Sequence, residues 1–289
     1  NSAQADSDFS KAIEISPKFP WFWNSLANSL SKVPERKAEA ETAYRNAIDL
    51  DPKHAGFWNG LAQLLSRAPE RKEEAEAACR KAIDLEPEFA GFWRNLGFLL
   101  ARTPERMQEA EGAYRKAIEL EPESAEFWMN LGVLLERIPK RRDEAERVFR
   151  KPIELDPNDA HAWAHLGNLL EQIPKRRDEA EAALRKAIEL DPKGSWAMSC
   201  LAHLLVTIPE RHEEAESLFR KALETDALSG DIWGSFGVFL ACWAGKPREA
   251  EVALRRSVEL EPDSSRDLRN LGALLYCEMR QEEEAVQHL

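Results

Sequence analysis

Apolar residues recur along this chain in two alternating helical phases. In residues 90–124, Trp93, Leu96, Gly97 and Leu100 fall at i, i+3, i+4 and i+7, one face of an α-helix. Pro104 then interrupts the pattern, at a place suited to the first turn of a second helix. Ala110, Tyr114, Ala117 and Ile118 fall at i, i+4, i+7 and i+8 and give that helix its own apolar face. Pro122 stops it. The spacing predicts a helix hairpin, helix A followed by helix B, with legs of about 14 residues, roughly 21 Å long.

The hairpin repeats at an interval of 35 residues. Trp23, Trp58, Trp93, Trp128, Trp163 and Trp233 share one slot of helix A. Ala40, Ala75, Ala110, Ala145, Ala180, Ala215, Ala250 and Ala285 share one slot of helix B. Ala or Gly follows the tryptophan slot by four residues in every copy, from Ala27 to Gly272. Glycine inside a helix costs about 1 kcal/mol relative to alanine, so its recurrence points to close helix approach. Units of this size bury their apolar faces only by stacking on neighbours. The chain therefore divides into a partial repeat with a second helix only (1–19), seven full repeats (20–264), and a partial repeat with a first helix and a truncated second one (265–289). The cut ends suggest a piece of a longer array.

These residues resemble the tetratricopeptide repeat. That family's pattern, W-x2-L-G-x2-Y followed by A-x3-F, A and P, falls on Trp93, Leu96, Gly97, Leu100, Ala110, Tyr114, Ala117 and Pro122. The resemblance implies an all-α, right-handed solenoid of antiparallel helix hairpins. The departures are a unit of 35 residues rather than 34, leucine in the helix-A tyrosine slot and an added proline between the helices. The pentatricopeptide repeat, an RNA reader, shares the unit length but lacks the Trp-x2-Leu-Gly signature and tends to be basic.

Composition narrows the partners. The net charge of −12 argues against nucleic acid. No apolar run approaches the ~20 residues of a membrane span, so no membrane partner is expected. Cys79, Cys200, Cys242 and Cys277 show no CxxC spacing and read as free thiols in a reducing, cytoplasmic setting. No GxSxG, phosphate loop or HExxH is present, so the chain reads as non-enzymatic and without cofactors. The mixed charges of helix B read as a solvated outer face. Two irregularities stand out. Pro152 replaces the alanine of a helix-B slot and predicts a local kink. The sixth repeat places Met198 in the tryptophan slot and Trp196 two residues earlier.

At about 100° per residue, the tryptophan slot and the positions 3, 4 and 7 after it face inward. The opposite stripe of helix A lines the peptide-holding concave groove in the family that the chain resembles. Along it run Asn24, Asn28, Asn59, Gln63 and Asn95 with Arg94, a zone suited to an extended peptide backbone because amides both donate and accept. Phe98, Met129, Asn130 and Val133 follow as an apolar anchor zone, then His161, His165, Asn168 and His203. Basic residues that would clamp a chaperone tail carboxylate are missing from the late positions. His161, His165, Cys200 and His203 have zinc-compatible chemistry, but no second-shell carboxylate is evident on the stripe, so they read as groove residues with no metal. The pattern points to a non-catalytic scaffold that binds another protein or a peptide. The alternative is the recognition arm of a larger enzyme or sensor.

Overall fold

The prolines and the acidic residues before them punctuate this chain. The computed structural model describes the backbone of residues 2–173 and 175–287 and the side chains of 8–9, 11–173 and 175–276. It falls into two compact units, residues 1–138 and 139–289.

The first unit holds α1 (Ser2–Ile15), α2 (Pro20–Leu30), α3 (Lys37–Leu50), α4 (Ala55–Leu65), α5 (Lys72–Leu85), α6 (Ala90–Leu100), α7 (Met107–Leu120) and α8 (Ala125–Glu136). The second holds α9 (Arg142–Leu155), α10 (Ala160–Glu171), α11 (Arg177–Leu190), α12 (Ser195–Val206), α13 (His212–Thr225), α14 (Gly230–Cys242), α15 (Pro247–Leu260) and α16 (Ser265–Gln287). Even-numbered helices are the A helices and odd-numbered ones the B helices. No strand occurs among the described residues. Helix B keeps the expected 14 residues, whereas helix A between α2 and α14 is shorter, 11 to 13.

The missing residues of helix A lie in the turn that follows it. Pro34, Pro69, Pro104, Pro139 and Pro209 each open a single 3-10 turn, and helix B starts three residues later. Proline forces the residue before it into extended geometry, as at Val33 (φ −106°, ψ 111°). The Pro-Lys-Arg tripeptide gives such a turn at Pro139–Arg141, but in its second copy Lys175 adopts φ 68°. At the other hairpin end, Asp51, Asp156, Asp191 and Asp226 accept from the backbone N–H two residues on, at 2.9–3.2 Å. This side-chain turn, with the proline beside it in most copies, ends helix B.

The tryptophan slot lies at the edge of the core, not at its centre. Its indole N–H donates to the carbonyl six residues earlier: Trp58 to Pro52 at 2.9 Å, Trp93 to Pro87 at 2.7 Å, Trp128 to Pro122 at 2.8 Å. In the seventh repeat Trp233 uses Ala227 at 3.0 Å, which is why the proline itself is dispensable there. The six tryptophans of this slot are half-buried. The centre belongs to the residue before them: Phe57, Phe92 and Phe127 are 0–6% exposed. That position and those 4 and 8 residues after it lie on one helical stripe, and the tryptophan sits beside the stripe, where its N–H reaches the turn.

Close approach at the small-residue slot is real for three glycines. A Cβ on Gly97 would lie 2.7 Å from the Tyr114 ring, on Gly167 2.6 Å from Leu184, and on Gly237 2.7 Å from Leu254. Gly272 has nothing within 4 Å. Pro152 is buried inside α9, which runs unbroken through it, and its carbonyl accepts from Asp156 N at 2.8 Å.

The last repeat departs from its expected form. A first helix followed by a truncated second one is not what forms: α16 continues from Ser265 to Gln287 as one element. Residues 278–284, EMRQEEE, carry neither proline nor glycine where other repeats turn, and every one is a good helix former.

Candidate binding face

In the first unit the predicted amides are mostly engaged with one another or with their own scaffold. Asn59, on α4, accepts from Asn95 Nδ2 of α6 at 2.6 Å, both half-buried. Asn28 is exposed and accepts from the Tyr44 hydroxyl at 2.6 Å. Asn130 Nδ2 donates to the Glu126 carbonyl at 2.8 Å. Arg94 forms an ion pair with Glu126 at 3.2 Å, while its buried Nε has no hydrogen-bond partner. Asn24 and Met129 are half-buried and Gln63 is exposed. Phe98 is 51% exposed and Val133 40%, both large for apolar groups held in water. Trp21, 47% exposed on the same stripe, was not in the predicted set; its ring lies 4.6 Å from His54.

In the second unit the predicted residues divide. His161 is exposed. His165 is half-buried between Phe149 (5.4 Å between centroids) and Trp196 (4.4 Å). Burial there, with His161 nearby, lowers its pKa to about 4, so it is neutral at physiological pH. Asn168 Oδ1 lies 3.8 Å from the Cys200 thiol. His203 is exposed, and its Nδ1 lies 2.8 Å from Glu171 Oε1, a partner that raises its pKa. Glu171 is the carboxylate that the sequence did not place on this stripe; it stands eight residues after Trp163. Among the described residues no group of three or more His, Cys, Asp or Glu side chains is set to hold a metal.

Two adjoining clefts open on this face of the second unit and share His203, Ser235 and Arg266. The first, about 310 Å3, is lined mainly by Val206, Phe219, Val238, Phe239 and Trp243. The second, about 340 Å3, brings together Glu171, Trp196, Ser199, Asp226 and Asp231. Sequence reasoning stopped at His203 and missed most of these. A signal was available: Trp196, Asp231 and Arg266 occupy the slot of His161, and Ser235 that of His165, one or more repeats on.

Beside the clefts lies a polar substitution of the core. Asp267 is fully buried where the first unit carries phenylalanine, and Ser257 where other helix-B copies carry mainly alanine. Ser257 Oγ donates to the Gly230 carbonyl at 2.9 Å. Ser264 Oγ donates to Asp267 Oδ2 at 2.6 Å, and Arg266 Nε to Asp267 Oδ1 at 3.1 Å. Burial pushes the Asp267 carboxyl up, but the Ser264 and Arg266 hydrogen bonds outweigh it and hold it below the usual range. A Cβ on Gly234 would come 2.5 Å from Asp267 Oδ1, so serine, aspartate and glycine form one arrangement.

The helix-B face is charged, and more organised than a solvated surface of i, i+4 pairs. The arginine of the Pro-Glu-Arg turn joins consecutive repeats: Arg71 reaches Glu41 at 2.5 Å and Glu74 at 2.6 Å, and Arg106 reaches Glu76 and Glu109. Arg211 joins Glu181 and Glu214 in the second unit. The Arg71 hydrogen bond, reinforced by Arg45, holds the Glu41 carboxyl down at about 2. Cys79 and Cys200 are buried thiols and Cys242 is an exposed one; Cys277 lies outside the described side chains. Burial pushes the Cys79 thiol up to about 12. No helix among the described residues is long and apolar enough to cross a membrane.

Comparison with known proteins agrees with this geometry. The sequence profile of the tetratricopeptide repeat matches residues 35–88, 98–140 and 140–195. No curated protein matches the chain significantly. Among solved structures, yeast Tom70 superposes with a TM-score of 0.74 at 19% identity, over 100% of this chain and 62% of that one. Cut9–Hcn1, an APC/C hetero-tetramer, gives 0.67 at 17% identity, over 95% of this chain and 53% of that one. At these identities the likeness is one of fold, and the chain spans less than two thirds of either structure.

Proposed function

The chain belongs to the tetratricopeptide-repeat family, and from that premise we propose that it is a non-catalytic scaffold holding a segment of another protein on its helix-A face. The observation that carries this reading is the contrast between the two faces of the first unit. Along helix A run half-buried amides and water-exposed Phe98 and Val133. Helix B instead carries charges already matched by Arg–Glu pairs. Amides can exchange their mutual hydrogen bonds for those of an extended backbone, and an exposed phenylalanine gains by being covered. The partner is a protein or peptide segment, met in the cytoplasm. The groove assignment follows the family and applies to each unit separately.

Random 12-residue peptides displayed on phage and selected on the full chain test it. Asn59→Ala with Asn95→Ala should weaken first-unit binders by about 1–3 kcal/mol, at about 0.5–1.5 kcal/mol per hydrogen bond. Phe98→Ala should remove about 2 kcal/mol if the ring anchors the segment. Selected peptides that ignore helix-A changes in both units, but lose binding when Arg71 and Glu76 are charge-reversed, would put the binding face on helix B.

A further inference from the structure

The clefts of the second unit differ in character from the amide stripe of the first. Every cation in them already faces a carboxylate. His203 lies 2.8 Å from Glu171, and Arg266 Nη2 lies 2.6 Å from Asp231 while its Nε serves Asp267. Asp226 adds a further carboxylate to the lining. With His203 protonated, the lining groups Glu171, Asp226, Asp231, His203 and Arg266 leave one negative charge in excess; with His203 neutral, two; the buried Asp267 behind Arg266 adds one more. The Asp231 side chain is 71% exposed, so its charge faces solvent despite the Arg266 contact. Trp196, 38% exposed, lines the same cleft. The neighbouring cleft is mainly apolar and includes Trp243, 44% exposed.

Resting on the reading that the helix-A face holds a protein segment, we propose that this trough takes a basic-apolar segment. A bulky apolar side chain enters the cleft of Val206, Phe219, Val238, Phe239 and Trp243. A lysine or arginine of the same segment enters the cleft of Asp226, Asp231 and Trp196. Excess carboxylates and an indole face both attract a cation. An acidic segment, or a free C-terminal carboxylate, would meet like charge there. The size of the two clefts, about 310 and 340 Å3, is that of sites that enclose single side chains or small ligands.

The test is the same phage selection on the full chain, followed by fluorescence anisotropy with the synthetic peptides. The expected winners for this trough pair a bulky apolar residue with lysine or arginine. Their affinity should fall about five- to tenfold with Glu171→Gln plus Asp231→Asn, and about tenfold with Trp243→Ala. Raising salt from about 0.05 to about 0.5 M should also weaken them. Replacing the peptide's own lysine by methionine must weaken binding by a similar factor, and that change leaves the protein untouched should a variant fail to fold. The proposal is overturned if the selected peptides are acidic or uncharged, or if basic ones are unmoved by these changes. If the binders respond instead to Asn59→Ala with Asn95→Ala, segment binding on helix A stands and the trough assignment falls. If no peptide is selected, or all depend on helix-B charges, both fall.

Discussion

The two units solve the same packing problem with different residues. In the first, Arg67 donates to Ser31 O at 2.9 Å, Arg102 to Ser66 O at 2.5 Å and Arg137 to Ala101 O at 2.8 Å. Each arginine satisfies a carbonyl just past the end of the preceding A helix, a group that no intrahelical N–H reaches. In the second, the same slot holds Gln172, Thr207 and Cys242. Arg142 and Arg177, at the start of helix B, reach Gln172 and Thr207 instead. The core differs in parallel. The slot before the tryptophan is Phe22, Phe57, Phe92 and Phe127 in the first unit, and Ala162, Ala197, Ile232 and Asp267 in the second. In the second unit His165 instead stacks on Phe149 and lies tilted against Trp196. A repeat scaffold can thus keep its hairpin order and its 14-residue B helices while one slot changes from aromatic filler to small or polar residue. The clefts lie where that change occurs.

The largest test of this contrast is Phe57→Ala. Its ring is fully buried, and its loss should cost about 3–5 kcal/mol in denaturant unfolding. A cost under about 1 kcal/mol would mean that the phenylalanine slot does not carry the first unit's core. The reciprocal change, Ala162→Phe, should destabilise the second unit by about 1–3 kcal/mol through overpacking. A gain in stability would show instead that the second unit has room for the first unit's solution.

Acid sharpens the comparison further. His165 is held neutral down to about pH 4, while in the unfolded chain it takes up a proton near pH 6.5. The unfolded state therefore binds more protons as pH falls from about 6.5 to 4, and the second unit should lose on the order of 2 kcal/mol over that window. His165→Phe should flatten this loss, as read by hydrogen exchange of α10 and α12; an unchanged pH profile would remove the histidine from the account.

Trp128→Ala should cost about 2 kcal/mol, less than Phe57→Ala, because the indole is half-buried and gives up one hydrogen bond to Pro122. Equal costs would return the tryptophan to the core. The smallest effect belongs to Glu76→Gln, under about 1 kcal/mol and shrinking with salt, since its partners Arg80 and Arg106 are partly exposed.

The sequence by itself determined the repeat, its period, the helical class and the punctuation by proline. These are local: spacing, capping residues and turn formers act within a few residues of one another. It also placed the stripe of helix A, since 100° per residue fixes which side chains share a face. It put the whole tryptophan slot on the inward face, because a face of a helix is broad; only the packing shows that the indole sits at the edge that meets the turn. It expected a break within residues 265–289; α16 runs through that place. At Pro152, α9 continues as one helix. The tertiary structure decided everything that depends on residues about 30 to 36 apart. The Arg71–Glu41 bridge, the Arg67 cap and the Asn59–Asn95 pair need two repeats in register. So do the His203–Glu171 contact and the Ser257–Gly234–Asp267 arrangement. No single repeat contains any of these in full; they are complete only once stacking fixes the distance between neighbouring copies.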